Sequence, residues 1–141
     1  MGEGLLKNYI AERGVKGVEV ASAGVGGNPD YKIYGFLARL MDEKNIAFAN
    51  HVSTKISPKH MVDFDTVIVM ERQHKKYIGH KFPWAKSKIF LLKELAGEGE
   101  IDIPDPMGRP DEAYRVVFDE IKSCVDKIAA NLTGGEKNSK L

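Results

Sequence analysis

Residues 66–70 read Thr66-Val67-Ile68-Val69-Met70, an unbroken run with no charged side chain. Such a run is typical of a strand that is covered on both faces, as in a parallel sheet. A second run of this kind is Lys88-Ile89-Phe90-Leu91-Leu92, and the shorter stretch Val18-Glu19-Val20-Ala21-Ser22 is also β-prone. The sequence therefore predicts three strands.

Helical patterns occupy the stretches between these runs. Apolar residues recur at helical spacing in 5–10, 33–41 and 114–132, and Ser57-Pro58 is typical of a helix start. A further short helix is predicted from Arg72 to Ile78, and the long last helix is predicted to begin near Pro110. Strands that alternate with helices indicate an α/β fold with a three-layer, doubly wound parallel sheet flanked by helices. Such sheets bind ligands at the carboxyl ends of their strands.

Composition predicts one domain over residues 1–132, followed by a polar, flexible tail over 133–141. The chain has 141 residues, of which 43% are hydrophobic, enough for one core. Its 21 basic and 20 acidic side chains nearly cancel, so neither nucleic acid nor a membrane is predicted as a partner. No apolar run is long enough to span a bilayer. A single cysteine forms no internal disulfide, which favours the cytoplasm.

Asp105 is the first candidate for chemistry, because Ile101-Asp102-Ile103-Pro104-Asp105-Pro106-Met107-Gly108 sets it between two prolines. By itself, an Asp-Pro pair in a loop is most often a turn former. Cys124 is the only thiol, and it lies on the apolar stripe of the last helix, where a core role is expected. Residue 130, where the arginine of a Cys-x5-Arg loop beginning at Cys124 would fall, is Ala130.

Cofactor and metal sites are not predicted. The glycines of 24–27 do not complete a dinucleotide loop, because Pro29 stands where the third glycine belongs. The four histidines are too scattered for a metal site, and the acidic residues of 98–105 lack the alternation of a calcium loop.

Several segments, taken in order, resemble the low-molecular-weight protein-tyrosine-phosphatase family, and in particular the bacterial branch that includes protein-arginine phosphatases. The resemblance covers the chain from about Glu3 to Leu132. It is carried by Met1-Gly2-Glu3-Gly4-Leu5-Leu6, Ser22-Ala23-Gly24, Gly27-Asn28-Pro29-Asp30, Asn50-His51-Val52-Ser53, 64–70, Gln73-His74-Lys75, 102–108 and the last helix. The family's sheet has four strands, of which three are readable here.

The resemblance implies hydrolysis of phosphotyrosine or phosphoarginine in a phosphorylated protein substrate, through a cysteinyl-phosphate intermediate and without a cofactor. Asp105 matches the family's general acid, which also activates the water of the second step. Ser22 matches a hydroxyl that supports the phosphate-binding loop. Met107 stands where many relatives have an aromatic residue that walls the cleft.

The family's Cys-x5-Arg loop and the strand before it are not found in these residues. The first helix resembles the one that follows that loop, so we predict that the chain is truncated at its N-terminus, inactive and poorly folded. Val67 to Val69 would then lack a ladder partner on one side, as would the strand near Val18. Two alternatives stay open: a non-catalytic regulatory or binding remnant, and an arsenate-reductase-like enzyme.

Overall fold

A computed structural model of the chain describes residues 1–26, 28, 30, 32–47, 51–132 and 139–140. Six α-helices, one 3-10 helix and four short strands are present in these residues. The helices are α1 Gly2–Arg13, α2 Gly35–Glu43, α3 Pro58–Asp63, α4 Arg72–Lys81, the 3-10 helix Pro83–Lys88, α5 Leu92–Leu95 and α6 Asp111–Leu132. The strands are β1 Val18–Glu19, β2 Val67–Val69, β3 Ile89–Leu91 and β4 Ser139–Lys140.

The ends of two helices follow from local chemistry. Helix α1 ends at Gly14, whose φ of 62° places it in the left-handed region that glycine adopts readily. Helix α3 begins after Ser57, with Pro58 at its first position, where the missing N–H costs no hydrogen bond. The Ser57 backbone N–H donates to Nδ1 of His60 at 3.1 Å, which closes this helix start. The helices predicted near these residues are confirmed.

The α/β fold with parallel strands is confirmed, with one difference in how the strands pair. Strand β2 runs parallel to β3, with Val67 opposite Ile89 and Val69 opposite Leu91. Strand β1 runs parallel to β4, so the described strands form two separate pairs instead of one continuous sheet. The reason is that no described strand lies between β1 and β2.

Strand β4 falls in the region 133–141 that was predicted as a flexible tail. Val18 lies opposite Ser139 and Glu19 opposite Lys140. Residues 133–138 and Leu141 lie outside the described residues, so the tail prediction is not tested there. Gly27, Pro29 and Asn50, which contribute to the resemblance, also lie outside them.

The core consists of two clusters of buried side chains, one on each side of β2. The first joins α1, α2 and α6, and Ile68 packs against it. The second joins α3, α4, the 3-10 helix and β3, and it contains Val69. Because neighbouring residues of a strand point to opposite faces, β2 separates the two clusters. In the first cluster, Phe118 and Cys124 of α6 are fully buried.

Candidate active site

The loop that carries Asp105 is tied to the end of β2. The backbone N–H of Ile103 donates to the carbonyl of Met70 at 2.9 Å. Asp102 accepts the backbone N–H of Arg72 at 2.8 Å, and its carboxylate also accepts the Arg72 side chain at 3.1 Å. These hydrogen bonds to Arg72 lower the pKa of Asp102. Two backbone contacts and one ion pair therefore fix where the loop starts.

Asp105 lies at the exposed tip of this loop. Its Oδ1 accepts the backbone N–H of Met107 at 2.9 Å, which is the hydrogen bond of an Asx turn. Pro106, between the two residues, is buried. One carboxylate oxygen is thus used to hold the turn, and no hydrogen bond from the described residues reaches Oδ2.

A cavity of about 420 Å³ opens beside Asp105. Asp105, Pro106 and Met107 contribute to its lining. The other lining residues come from Met1, the loop after β1, the segment 33–37 at the start of α2, the segment 51–54, and Tyr114 of α6. Ser22 belongs to the lining as well, so the structure brings together all three residues predicted for the site. Met107 is 58% exposed, which fits a side chain on the wall of a cleft.

Ser22 contacts a residue that the sequence analysis did not single out. Its hydroxyl donates to Oε2 of Glu3, and the same carboxylate accepts the Lys7 ammonium at 2.5 Å. Nδ1 of His51 lies 3.3 Å from Glu3 Oε2. Burial raises the pKa of Glu3, but the hydrogen bonds from Lys7 and Ser22 and the charges of Lys7 and His51 outweigh it, so the pKa is lowered overall. Only the tertiary fold reveals this cluster, because Ser22 and His51 are distant from Glu3 in sequence.

Tyr34 is a second residue that sequence reasoning missed. It lies in the cavity lining, and its hydroxyl donates to Oδ1 of Asp111 at 3.1 Å. This hydrogen bond to a carboxylate raises the pKa of Tyr34. The Tyr34 ring also packs against Tyr114, with ring centroids 5.0 Å apart. These contacts tie the segment before α2 to the start of α6, and they hold Tyr34 in the lining of the cavity.

Cys124 has the environment of a core residue. It is 0% exposed within α6, and its Sγ lies 3.9 Å from Oε1 of Glu98. Burial, and next the charge of Glu98, raise the pKa of the thiol. A nucleophilic cysteine needs the opposite, a lowered pKa and access to substrate. The core role predicted for Cys124 is confirmed by its position.

Neither a metal site nor a membrane-spanning helix is found in the described part of the chain. It contains no group of His, Cys, Asp and Glu side chains that could hold a metal ion. None of its helices combines the length and apolar character needed to cross a membrane.

Comparison with known proteins places this geometry in a family. The family model described as "Low molecular weight phosphotyrosine protein phosphatase" matches residues 1–138. The chain belongs to this family. A protein-arginine-phosphatase of Bacillus subtilis (strain 168) is 36% identical over 132 residues, which are 94% of this chain and 87% of the relative.

Two solved structures in this family have a closely similar fold. The YwlE arginine phosphatase from Geobacillus stearothermophilus is 34% identical, with a TM-score of 0.86, over 94% of this chain and 83% of that one. A mutant of the YwlE arginine phosphatase with a phosphorylated active-site serine is 32% identical, with a TM-score of 0.89, over 96% of this chain and 88% of that one. The low molecular weight phosphatase fold predicted from the sequence is confirmed.

Proposed function

We propose that this chain forms the acid-bearing, substrate-facing part of a low molecular weight protein phosphatase, with Asp105 as general acid and general base. The observation that carries the proposal is the position of Asp105. It stands on a loop tied to Met70 and Arg72 and lines a cavity together with Ser22 and Met107. A carboxyl group beside an open cavity can donate a proton to a leaving group there.

The Asx turn fixes the orientation of the Asp105 carboxyl group. Oδ1 is held by the Met107 N–H, and Oδ2 has no hydrogen-bond partner in the described structure, so it can point at the substrate. In the first step, the protonated carboxyl group gives its proton to the leaving oxygen or nitrogen as the bond to phosphorus breaks. In the second step, the carboxylate takes a proton from the water that attacks phosphorus, which restores the acid.

The nucleophile is not Cys124, since that thiol is buried in α6 and has a raised pKa. We infer that the thiolate and the arginine that bind phosphate lie outside these 141 residues. The chain by itself is then inactive. It supplies the proton-transfer group and the cleft wall, and the thiol-bearing loop completes the site.

The substrate is a phosphorylated protein, and phosphoarginine is favoured over phosphotyrosine. Two observations support this order. The chain shares 36% identity with a protein-arginine-phosphatase, and the cleft wall next to Asp105 is Met107, a flexible aliphatic side chain. At this position an aromatic side chain would stack on a flat phosphotyrosine ring, whereas methionine adapts to many shapes. The aromatic residues Tyr34 and Tyr114 line other parts of the cavity.

The experiment uses the protein as its native cell makes it. Its intact mass is measured first, and its hydrolysis of a phosphoarginine peptide and a phosphotyrosine peptide is then followed by phosphate release. We expect a mass larger than 15.7 kDa, or a tightly bound second segment, and a higher kcat/KM for phosphoarginine. If the protein releases phosphate from neither peptide, the proposed function is overturned. A higher kcat/KM for the phosphotyrosine peptide would overturn only the proposed preference for phosphoarginine.

A further inference from the structure

The charges of the chain are unevenly distributed. From Arg72 to Lys93 there are seven Lys and Arg side chains and no Asp or Glu. The chain has 21 basic and 20 acidic side chains in all, so the other residues carry 14 basic and 20 acidic ones. The overall charge of +1 predicts no anionic partner, but it is the sum of a strongly basic segment and an acidic remainder. The basic segment forms α4, the 3-10 helix and β3.

Three of the seven basic side chains have no acidic partner. The other four contact carboxylates or, in one case, backbone carbonyls; they are Arg72, Lys75, Lys88 and Lys93. Lys76, Lys81 and Lys86 are exposed, and none of them forms an ion pair within the described part of the chain. Their charges are therefore available to an anionic partner.

Lys81 lies among aromatic rings, two of which are exposed. Trp84 is 60% exposed and Tyr77 is 43% exposed. The Nζ of Lys81 is 5.7 Å from the centre of the Tyr77 ring and 5.6 Å from the centre of the Phe82 ring. Phe82 is buried, and its ring centroid is 6.4 Å from that of Trp84. These contacts join the end of α4 and the start of the 3-10 helix into one surface.

Lys76 and Lys86 extend this surface. Lys76, Tyr77 and Lys81 are on the exposed side of α4, whose other side packs in the second core cluster. The Cγ of Lys86 is 3.5 Å from the position that a Cβ on Gly79 would take. Because Gly79 has no side chain, the aliphatic stem of Lys86 packs against α4 while its ammonium stays in water. We call the surface formed by Lys76, Tyr77, Lys81, Trp84 and Lys86 the lysine–aromatic patch.

The lysine–aromatic patch lies toward the end of α4 that is away from the Asp105 loop. Arg72, at the start of α4, is held by Asp102 of that loop. A helix rises 1.5 Å per residue, so Lys81 is about 14 Å further along the axis of α4. None of the five residues of the patch lines the Asp105 cavity. Contact at the patch therefore does not involve the residues proposed for catalysis.

The side chains of the patch suit an anionic lipid surface. Trp and Tyr rings are typical of the headgroup level of a bilayer, where their apolar bodies and polar tips are both accommodated. Each lysine near an anionic bilayer strengthens binding. Lysine is depleted in protein interfaces, where arginine is enriched, and the planar fork of arginine also suits nucleic-acid phosphates. All three unpaired cations of the patch are lysines, which favours a lipid surface over an acidic protein or a nucleic acid.

We propose that the lysine–aromatic patch docks this protein reversibly on an anionic lipid surface. Trp84 and Tyr77 lie among the headgroups, and the three lysines contact lipid phosphates. The remainder of the chain, which is acidic overall, is repelled by the same surface, so the protein is held in one orientation. Three lysines and two rings give weak binding that salt reverses. The inference does not depend on the proposed function.

Tryptophan fluorescence reports on the patch directly, because Trp84 is the only tryptophan in these 141 residues. The protein, as its native cell makes it, is titrated with vesicles of phosphatidylcholine that contain about one third phosphatidylserine, and with vesicles of pure phosphatidylcholine. We expect the emission to shift to shorter wavelength with the anionic vesicles only. Co-sedimentation measures the affinity. Raising the ionic strength to about 1 M, where the Debye length is about 3 Å, should release the protein.

The chain offers two matched triple variants. Lys76→Gln with Lys81→Gln and Lys86→Gln should weaken binding on the order of a hundredfold, because each lysine contributes about fivefold. The control changes the net charge equally on the other side of β2, at the end of α2 and on α6; it combines Lys44→Gln, Lys122→Gln and Lys127→Gln, all at exposed positions. It should bind within about threefold of the unchanged protein.

Two further measurements separate docking from a structural or catalytic role. Trp84→Ser should lose the emission shift and weaken co-sedimentation, with an unchanged Tm because Trp84 is exposed. The patch triple variant should release phosphate from a soluble phosphopeptide like the unchanged protein. A loss of that activity would make the patch part of the catalytic site and overturn the proposal.

Several other outcomes would also overturn the proposal. Equal binding to the two kinds of vesicle is one, and equal weakening by the two triple variants is another. Binding to anionic vesicles with no change in Trp84 emission would place the contact elsewhere on the protein. Binding to polyglutamate or to a DNA duplex, without binding to vesicles, would make an acidic protein segment or a nucleic acid the partner.

Discussion

Replacing Asp105 by asparagine tests the proposed chemistry with little change in structure. Asparagine keeps the side-chain oxygen that accepts the Met107 N–H at 2.9 Å, so the Asx turn and the loop should remain. What is lost is the proton that the carboxyl group gives to the leaving group. General acid catalysis contributes about 10²–10⁴-fold, so we expect kcat to fall by that factor. This corresponds to about 2.7–5.4 kcal/mol in the activation free energy.

The assay is steady-state hydrolysis of a phosphopeptide by the catalytically complete protein, measured across pH. The loss should appear in kcat, with KM little changed, because Asp105 acts on the leaving group in the transition state. The loss of kcat should be smaller for a substrate whose leaving group departs without taking up a proton. Asp105→Ala should lose more, since it also removes the Asx turn.

Asp119→Asn is the matched control for this change. Asp119 is exposed on α6 and does not line the Asp105 cavity, so its replacement should leave kcat unchanged. Thermal unfolding of both variants should match the unchanged protein. If Asp105→Asn keeps kcat within about threefold of the unchanged protein at every pH, Asp105 is not the general acid.

Three further predictions concern other parts of the site and core. Cys124→Ser should leave the activity of the complete protein unchanged, as measured by phosphate release. It should lower the free energy of unfolding by about 1–3 kcal/mol, as measured by urea titration, because it buries a hydroxyl in an apolar site. Glu3→Gln should have a lower free energy of unfolding than the unchanged chain at neutral pH, because the pKa of Glu3 is lower in the folded than in the unfolded state. This difference should vanish as the pH falls through the folded-state pKa of Glu3, and thermal unfolding from pH 7 to 3 measures it. A constant difference over that range would contradict the assigned ion pairs of Glu3. Phe118→Ala should lower the free energy of unfolding by about 3–5 kcal/mol, since Phe118 is 1% exposed in the first core cluster, and a loss below about 1 kcal/mol would contradict that packing.

Much of the fold could be predicted because it rests on local patterns. The apolar run Val67 to Val69 forms strand β2, which pairs in parallel with β3. The helical stripe that begins at Tyr114 lies in the long helix α6. Helix α1 ends at Gly14, a residue type that commonly ends helices. These signals lie within a few residues of each other, and periodicity detects them directly.

The site was predicted less completely. Asp105, Ser22 and Met107 came from a resemblance to a family, and the structure places them around one cavity. Glu3 and Tyr34 were missed because their partners, Ser22 and Asp111, are far away in sequence. A lone glutamate in a first helix turn, or a lone tyrosine before a helix, carries no local signal of such a contact.

The amino-acid sequence by itself determined the α/β class, the starts of α3 and α4, and the core role of Cys124, because each depends on periodicity or on one residue's chemistry. Only the tertiary structure decided that Ser22 contacts Glu3 and that Tyr34 and Met107 line the same cavity. It also decided that the described strands form two separate parallel pairs. Contacts of this kind depend on how distant segments are packed, and packing is settled by the whole core at once.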